Sequence, residues 1–79
     1  MTNDYQPVAC SLHSEYELLA MHRETVALEC NDTQLPHTLT GMVIDLVTRD
    51  GAEYLCLDTD NGMQQVRLDR IQRLTRTGN

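Results

Sequence analysis

A chain of 79 residues has room for one domain, and a domain of that size buries only about 60% of the surface its unfolded chain exposes, which argues against an enclosed active-site cavity. Twelve carboxylates stand against six arginines and no lysine, a net charge of −6. Phosphate contacts dominate nucleic-acid affinity, so this balance argues against a free-standing RNA or DNA binder and for a basic partner surface.

The charge is unevenly spread. Residues 1–62 carry eleven acids and two arginines, net −9; residues 63–79 carry Arg67, Arg70, Arg73 and Arg76 against Asp69, net +3. These arginines read equally well as a solvated surface with some internal pairing. Cys10, Cys30 and Cys56 are an odd, widely spaced set and a poor disulfide framework. The N-terminus MTNDYQPVAC is polar and acidic, unlike a signal peptide, and no apolar run approaches the roughly 20 residues of a membrane span. The expectation is a protein of the reducing cytoplasm, away from membranes, with Cys30 and Cys56 acting as small buried hydrophobes.

Pro7 disfavours helix at Gln6, so residues 1–10 read as an extended lead-in. In SLHSEYELLAMHRE, Leu12, Tyr16, Leu19, Ala20 and Arg23 recur at helical spacing, which predicts a helix from about residue 12 to 22. Ser14 and Glu17 have the S-x-x-E spacing of a capping box, with Ser11 as a cap one turn earlier. Glu15 and Glu17 would then lie near the positive end of the helix dipole, off the apolar stripe. From Thr25 the period changes to 2: Val26, Leu28 and Cys30 alternate with polar neighbours, a half-buried strand. NDTQLP is a turn. LTGMVIDLVT is a longer strand in which Gly41 would allow a bend or bulge. Asp50-Gly51 is a D-G turn, AEYLCLD a third strand, and Asn61-Gly62 suits a type I′ hairpin turn into QQVRL. Asp69-Arg70 is a short corner before IQRL, and TRTGN reads as a frayed tail.

One helix followed by five short strands predicts a mainly β fold: an Sm-like (SH3-like) five-stranded small barrel with an N-terminal α-helix. A closed barrel would remove the exposed edges of such short strands. The domain would span residues 11–75, with a flexible tail at 76–79.

Chemistry finds little footing. Cys10-x-x-His13 has a metal-like gap, but His22 lacks a close partner and a structural zinc site wants four ligands, so surface histidines on a helix are the simpler reading. Cys10 beside His13 has no substrate pocket to serve as a nucleophile–base pair. Gly41, Gly51 and Gly62 are isolated and form no phosphate loop, and DTDNG lacks the closing acid of a calcium loop. The expectation is no enzyme, no metal and no cofactor. The Sm-like layout keeps an RNA-binding role open, and the Leu68-Asp69-Arg70-Ile71 corner resembles the last turn of Sm-like proteins. Fold alone does not carry function, however, and the strands lack Phe and Trp stacking platforms.

Tyr5-Gln6-Pro7 followed by Cys10, Glu17-Leu18 in the helix, Asp45-Leu46-Val47-Thr48-Arg49, Glu53-Tyr54-Leu55 and Arg67-Leu68-Asp69-Arg70-Ile71 span residues 5 to about 74. In order and spacing these stretches resemble the Rof (YaeO) family of inhibitors of the transcription terminator Rho. The resemblance implies an Sm-like barrel and a partner, the Rho hexamer. It implies binding at Rho's N-terminal RNA-binding region, which blocks RNA loading and so inhibits Rho-dependent termination. It places contacts on the helix and in the loop between the second and third strands, which map to His13, Ser14, Glu15 and Glu17 and to Arg49, Asp50 and Gly51. Where the family carries an Asp cluster and an aromatic residue at the helix start, this chain has Ser11-Leu12-His13-Ser14, and Glu15 stands one helical position from the missing acid. Where the family turn carries Lys and Asn after the arginine, Asp50 and Gly51 follow Arg49. The net charge argues for a monomer that does not bind nucleic acid directly. The alternatives are an Sm-like RNA-binding protein and an acidic interaction module for another basic partner.

Overall fold

The computed structural model describes residues 8–77. Helix α1 (Cys10–Met21) is followed by β1 (Thr25–Cys30), β2 (Thr38–Arg49), β3 (Ala52–Thr59), β4 (Gly62–Arg67), a 3-10 turn (Leu68–Arg70) and β5 (Ile71–Arg76). The strands form one antiparallel sheet in the order β4-β3-β2-β1-β5. The order leaves β4 and β5 as its two edges, so the sheet is not closed by strand pairing as the barrel expectation required.

The sequence CSLHSEYELLAM contains no Gly, Pro or β-branched residue, which favours helix throughout. The helix starts earlier than the capping box predicted. Its N-cap is Ala9, in extended conformation with no side-chain cap, and the first turn holds no acid. Ser14 and Glu17 are therefore interior helical residues, and neither Glu15 nor Glu17 sits at the positive end of the dipole. The tertiary packing of Val8 against the core fixes the chain's entry, and this outweighs a local cap worth about 1 kcal/mol. Beyond the C-cap His22 the helix is closed off by Arg23, which takes φ 52°, while Arg23 N–H donates to Ala20 O and Glu24 N–H to Leu19 O (3.2 and 3.0 Å). This is a Schellman ending with arginine where glycine is usual.

β2 is shared between the two halves of the sheet. Its first part pairs with β1 and its second with β3, overlapping at Gly41 and Met42. A Cβ on Gly41 would stand 2.7 Å from the Asp58 carbonyl oxygen, so glycine is required there for the close approach of β3. The bulge itself lies three residues on. Ile44 is the extra residue between the Val43–Leu57 and Asp45–Cys56 pairs. It switches the inward parity of β2 from Leu39 and Val43 to Leu46, so the apolar face stays continuous.

Both hairpin turns are tight, but only one has the expected register. Asp50 and Gly51 take φ 53° and 80° between the paired Arg49 and Ala52, the positive values that a type I′ turn demands. In the second hairpin Thr59 pairs with Gly62, so the turn residues are Asp60-Asn61, with only Gly62 at positive φ (102°). Thr59 Oγ1 accepts the Asn61 N–H and donates to Gly62 O. β5 runs through Arg76, beyond the expected IQRL, and Thr77 N–H donates to Thr25 O.

The core is aliphatic apart from Tyr16 and Cys30. Val26, Leu28 and Cys30 of β1, Leu39 and Val43 of β2, Leu55 and Leu57 of β3, Val66 and Leu68 pack beneath Tyr16 and Leu19 of α1. The helix thus rests on the sheet through two buried residues, while Leu12 and Leu18 remain partly exposed.

Candidate functional site

The acidic helix is fastened to the sheet by a polar contact. His13 Nε2–H donates to Glu53 Oε2 at 2.6 Å, and His13 Nδ1 lies 3.8 Å from Glu17 Oε1, one helical turn on. Glu53 is held there by strand alternation: it shares the inward face of β3 with Leu55 and Leu57, at the rim that α1 covers. His13 and Glu53 are each about a quarter exposed, whereas the Glu17 side chain is 58% exposed. Ser14 and Glu15 are also exposed. Ser14, Glu15 and Glu17 are therefore solvent-facing, with Glu17 on the His13 flank of α1 and Glu15 on the flank beside Leu74 and Arg76. Burial pushes the Tyr16 hydroxyl above its ordinary range, and the neighbouring Glu15 carboxylate adds to the shift.

The β2–β3 turn joins this patch through its backbone and leaves it through its arginine. Glu53 follows Gly51 by two residues, about 7 Å of strand, so the Asp50-Gly51 turn adjoins the His13–Glu53 contact. The Arg49 side chain goes to the opposite face of the sheet. Its guanidinium stacks 4.4 Å above the Tyr54 ring centroid, and its Nη1 donates to Gln65 Oε1 at 2.6 Å. Cys56 lies on that face as well: burial and then Asp45 push its thiol up, while a hydrogen bond from Gln65 and the charge of Arg49 pull it back.

The predicted residues thus separate. His13, Ser14, Glu15 and Glu17 share α1, but only His13 and Glu17 lie on the flank that meets Glu53, while Glu15 faces the Leu74 and Arg76 side; Asp50 and Gly51 sit in the β2–β3 turn that precedes Glu53. Arg49 is turned away from the helix acids. Sequence reasoning missed Glu53, Tyr54 and Gln65 as partners. An acid at an inward position of a β period was the available signal for Glu53; nothing local marks Tyr54 or Gln65, which are placed by cross-strand register. Beyond Tyr54, a hollow of about 250 Å³ is lined by Asp32, Thr33, Gln34, Arg67 and Arg70. Arg67 is engaged there by a two-point contact to Asp69 at 2.7 and 3.0 Å.

Among the described residues no three His, Cys, Asp or Glu side chains cluster to hold a metal ion. No described helix is long and apolar enough to cross a membrane. What the described residues offer on α1 is exposed carboxylate, Glu15 and Glu17.

Residues 7–79 match the family described as "Modulator of Rho-dependent transcription termination (ROF)". Protein rof of Escherichia coli (strain K12) and Protein rof of Shigella flexneri are each 32% identical over 71 residues, which is 90% of this chain and 81% of theirs. Among solved structures, proteasome accessory factor B/C (PafBC) of Arthrobacter aurescens superposes with a TM-score of 0.68 at 19% identity. That match covers 96% of this chain and 13% of the longer one, and it is a likeness of fold alone.

Proposed function

From the premise that this chain belongs to the Rof family of modulators of Rho-dependent transcription termination, we propose that it acts by binding Rho itself. It docks on Rho's N-terminal RNA-binding region, blocks the loading of RNA and so inhibits termination. The observation that carries this reading is the exposed acidic face of α1, held on the sheet by Tyr16, Leu19 and the His13–Glu53 bond. A surface that holds RNA phosphates is basic, and a rigid acidic helix on a body of net charge −6 complements it.

In this reading Glu15 and Glu17 make the charge-assisted contacts, Ser14 adds a polar group beside them, and His13 orients Glu17 while anchoring the helix. Asp50 and Gly51 extend the same surface by one tight turn. Arg49 supports that turn from the far face, against Tyr54 and Gln65, and its contact with Rho is at the rim. The open sheet with its shared β2 and the 3-10 corner before β5 is read as an Sm-like domain, working as a monomer in the cytoplasm.

Calorimetric titration into purified Rho tests the proposal. The expected result is saturable binding that weakens steeply between low salt and about 0.5 M, since exposed charge pairs are screened over about 10 Å already at 0.1 M. Absence of binding at low salt would overturn it.

A further inference from the structure

The outer ridge of α1 carries apolar side chains between its two flanking acids. We propose that Leu18 and Met21 are contact residues for Rho, taking the place of nucleobases on its RNA-binding region while Glu15 and Glu17 take the place of phosphates. The proposal rests on the reading that Rho is the partner, and adds to it an apolar centre.

Leu18 and Met21 are 52% and 72% exposed. Single exposed apolar residues are ordinary on a protein surface, but these two are neighbours. They stand three residues apart on one helix, so their side chains meet on one face, and the exposed Ser14 precedes Leu18 on that face by four. The ridge faces away from the sheet on which Tyr16 and Leu19 rest. Of the five large apolar residues exposed among those described, Leu12, Leu18 and Met21 are on α1 and only Met42 and Met63 on the sheet, so exposed apolar surface is concentrated on the helix. The charges are set around the ridge. Glu17 falls on its His13 flank and Glu15 on its Leu74 flank. His22, one turn beyond Leu18, borders it on the Glu15 side. The other basic groups lie off it: His13 is bonded to Glu53, Arg76 is drawn to Glu24 at 4.0 Å, and Arg23 comes after the C-cap.

This arrangement suits one partner chemistry. A site for single-stranded RNA combines cationic groups that hold phosphates with flat apolar platforms on which bases stack. A competitor that brought only carboxylates would leave those platforms in water. An apolar pair with a carboxylate on either flank supplies both parts: Glu15 and Glu17 meet the cations, and Leu18 and Met21 lie on the platforms. The thioether of Met21 is polarizable and packs well against an aromatic ring. An apolar centre with a charged rim is the anatomy of a specific protein interface, and it explains how acids on opposite flanks of one helix serve a single contact.

The test is calorimetric titration of the full chain into the Rho hexamer at several salt concentrations, for wild type, Leu18→Gln, Met21→Gln, Glu17→Gln and Met63→Gln. Each substituted side chain is more than half exposed and glutamine is a good helix former, so melting temperatures should stay within about 4 °C of wild type. Leu18→Gln and Met21→Gln should each weaken binding about tenfold, the loss of one buried apolar side chain, and leave the slope of log affinity against log salt unchanged. Their heat capacity change on binding should be less negative than that of wild type. Glu17→Gln should weaken binding and flatten the salt slope. Met63→Gln, on β4 and 59% exposed, should bind as wild type does. Either Leu18→Gln or Met21→Gln binding within about twofold of wild type would overturn the proposal and leave the Rho reading standing; absence of wild-type binding at low salt would overturn both. An equal loss in Met63→Gln would overturn the proposal by showing that the effect is not local to the ridge. Sedimentation showing a dimer that Leu18→Gln dissolves would overturn it too, because the ridge would then belong to a second copy.

Discussion

Cutting the His13–Glu53 bond should loosen α1 without unfolding the sheet. The helix buries only Tyr16 and Leu19, each worth about 1.5–3 kcal/mol, so a single well-formed polar tether is a sizeable part of what holds it. The bond is short, 2.6 Å, but both side chains are about a quarter exposed, so water screens it. A hydrogen bond to a charged group is worth about 1.5–3 kcal/mol when buried and an exposed pair 0.2–1 kcal/mol; about 1 kcal/mol is the figure for this setting. His13→Ala, Glu53→Ala and the double variant form a cycle. Each single change should lower the melting temperature by about 4–8 °C, as 1 kcal/mol does in a domain of this size, and the double variant should be destabilised by less than the sum of the two. Hydrogen exchange should quicken in α1 and stay slow in β1 and β3. A coupling energy below about 0.3 kcal/mol, or loss of protection in the sheet as large as that in the helix, would refute the tether.

Three smaller predictions follow from the backbone and the core. Gly41→Ala forces a Cβ against the Asp58 carbonyl, a backbone atom that cannot swing away, and should cost about 1–3 kcal/mol by urea titration. Arg23→Gly relieves a left-handed residue at the end of α1 and should raise stability by up to about 1 kcal/mol in the same assay; a loss would mean that the Arg23 side chain contributes more than its strain. Tyr16 has its pKa raised by burial and by Glu15, so the folded state holds its proton above the point where the unfolded chain releases it. Its contribution is therefore complete below pH 10 and is lost as pH rises through the folded value, and Tyr16→Phe should flatten the fall in melting temperature above pH 10.

What was legible in the sequence was what local pattern controls. Alternation of Val26, Leu28 and Cys30 marked β1, and Asp50-Gly51 marked the β2–β3 turn, because a type I′ turn accepts few other pairs. The start of α1 was misread. Ser14 and Glu17 have the spacing of a cap, yet the chain is already helical at Cys10 because Val8 is fastened to the core. The DTDNG hairpin was placed one residue late, since a turn over Asp60-Asn61 with Gly62 beyond it uses the same letters as one over Asn61-Gly62. The bulge at Ile44 has no local signature. It arises because one long strand must serve two halves of a sheet with different inward parity. Of the proposed contact residues, the sequence put the acids on a helix and Asp50-Gly51 in a turn, and they occupy those elements, but the bond that fastens the helix joins residues 13 and 53, and the stacking of Arg49 on Tyr54 depends on the β2–β3 register.

The central claim is that this chain and RNA compete for one region of Rho. The most direct measurement is the affinity of labelled C-rich RNA for purified Rho at rising concentrations of the protein, for wild type and for Glu17→Gln. Glu17 lies inside α1 rather than at its cap, so the substitution spares the fold and removes one exposed charge. The account predicts that wild type displaces RNA competitively, with the apparent RNA affinity falling in proportion to protein added. Glu17→Gln should require about ten to a hundred times more protein, the loss of one charge-assisted contact. RNA affinity unchanged at saturating protein, with both bound to Rho together, would contradict it.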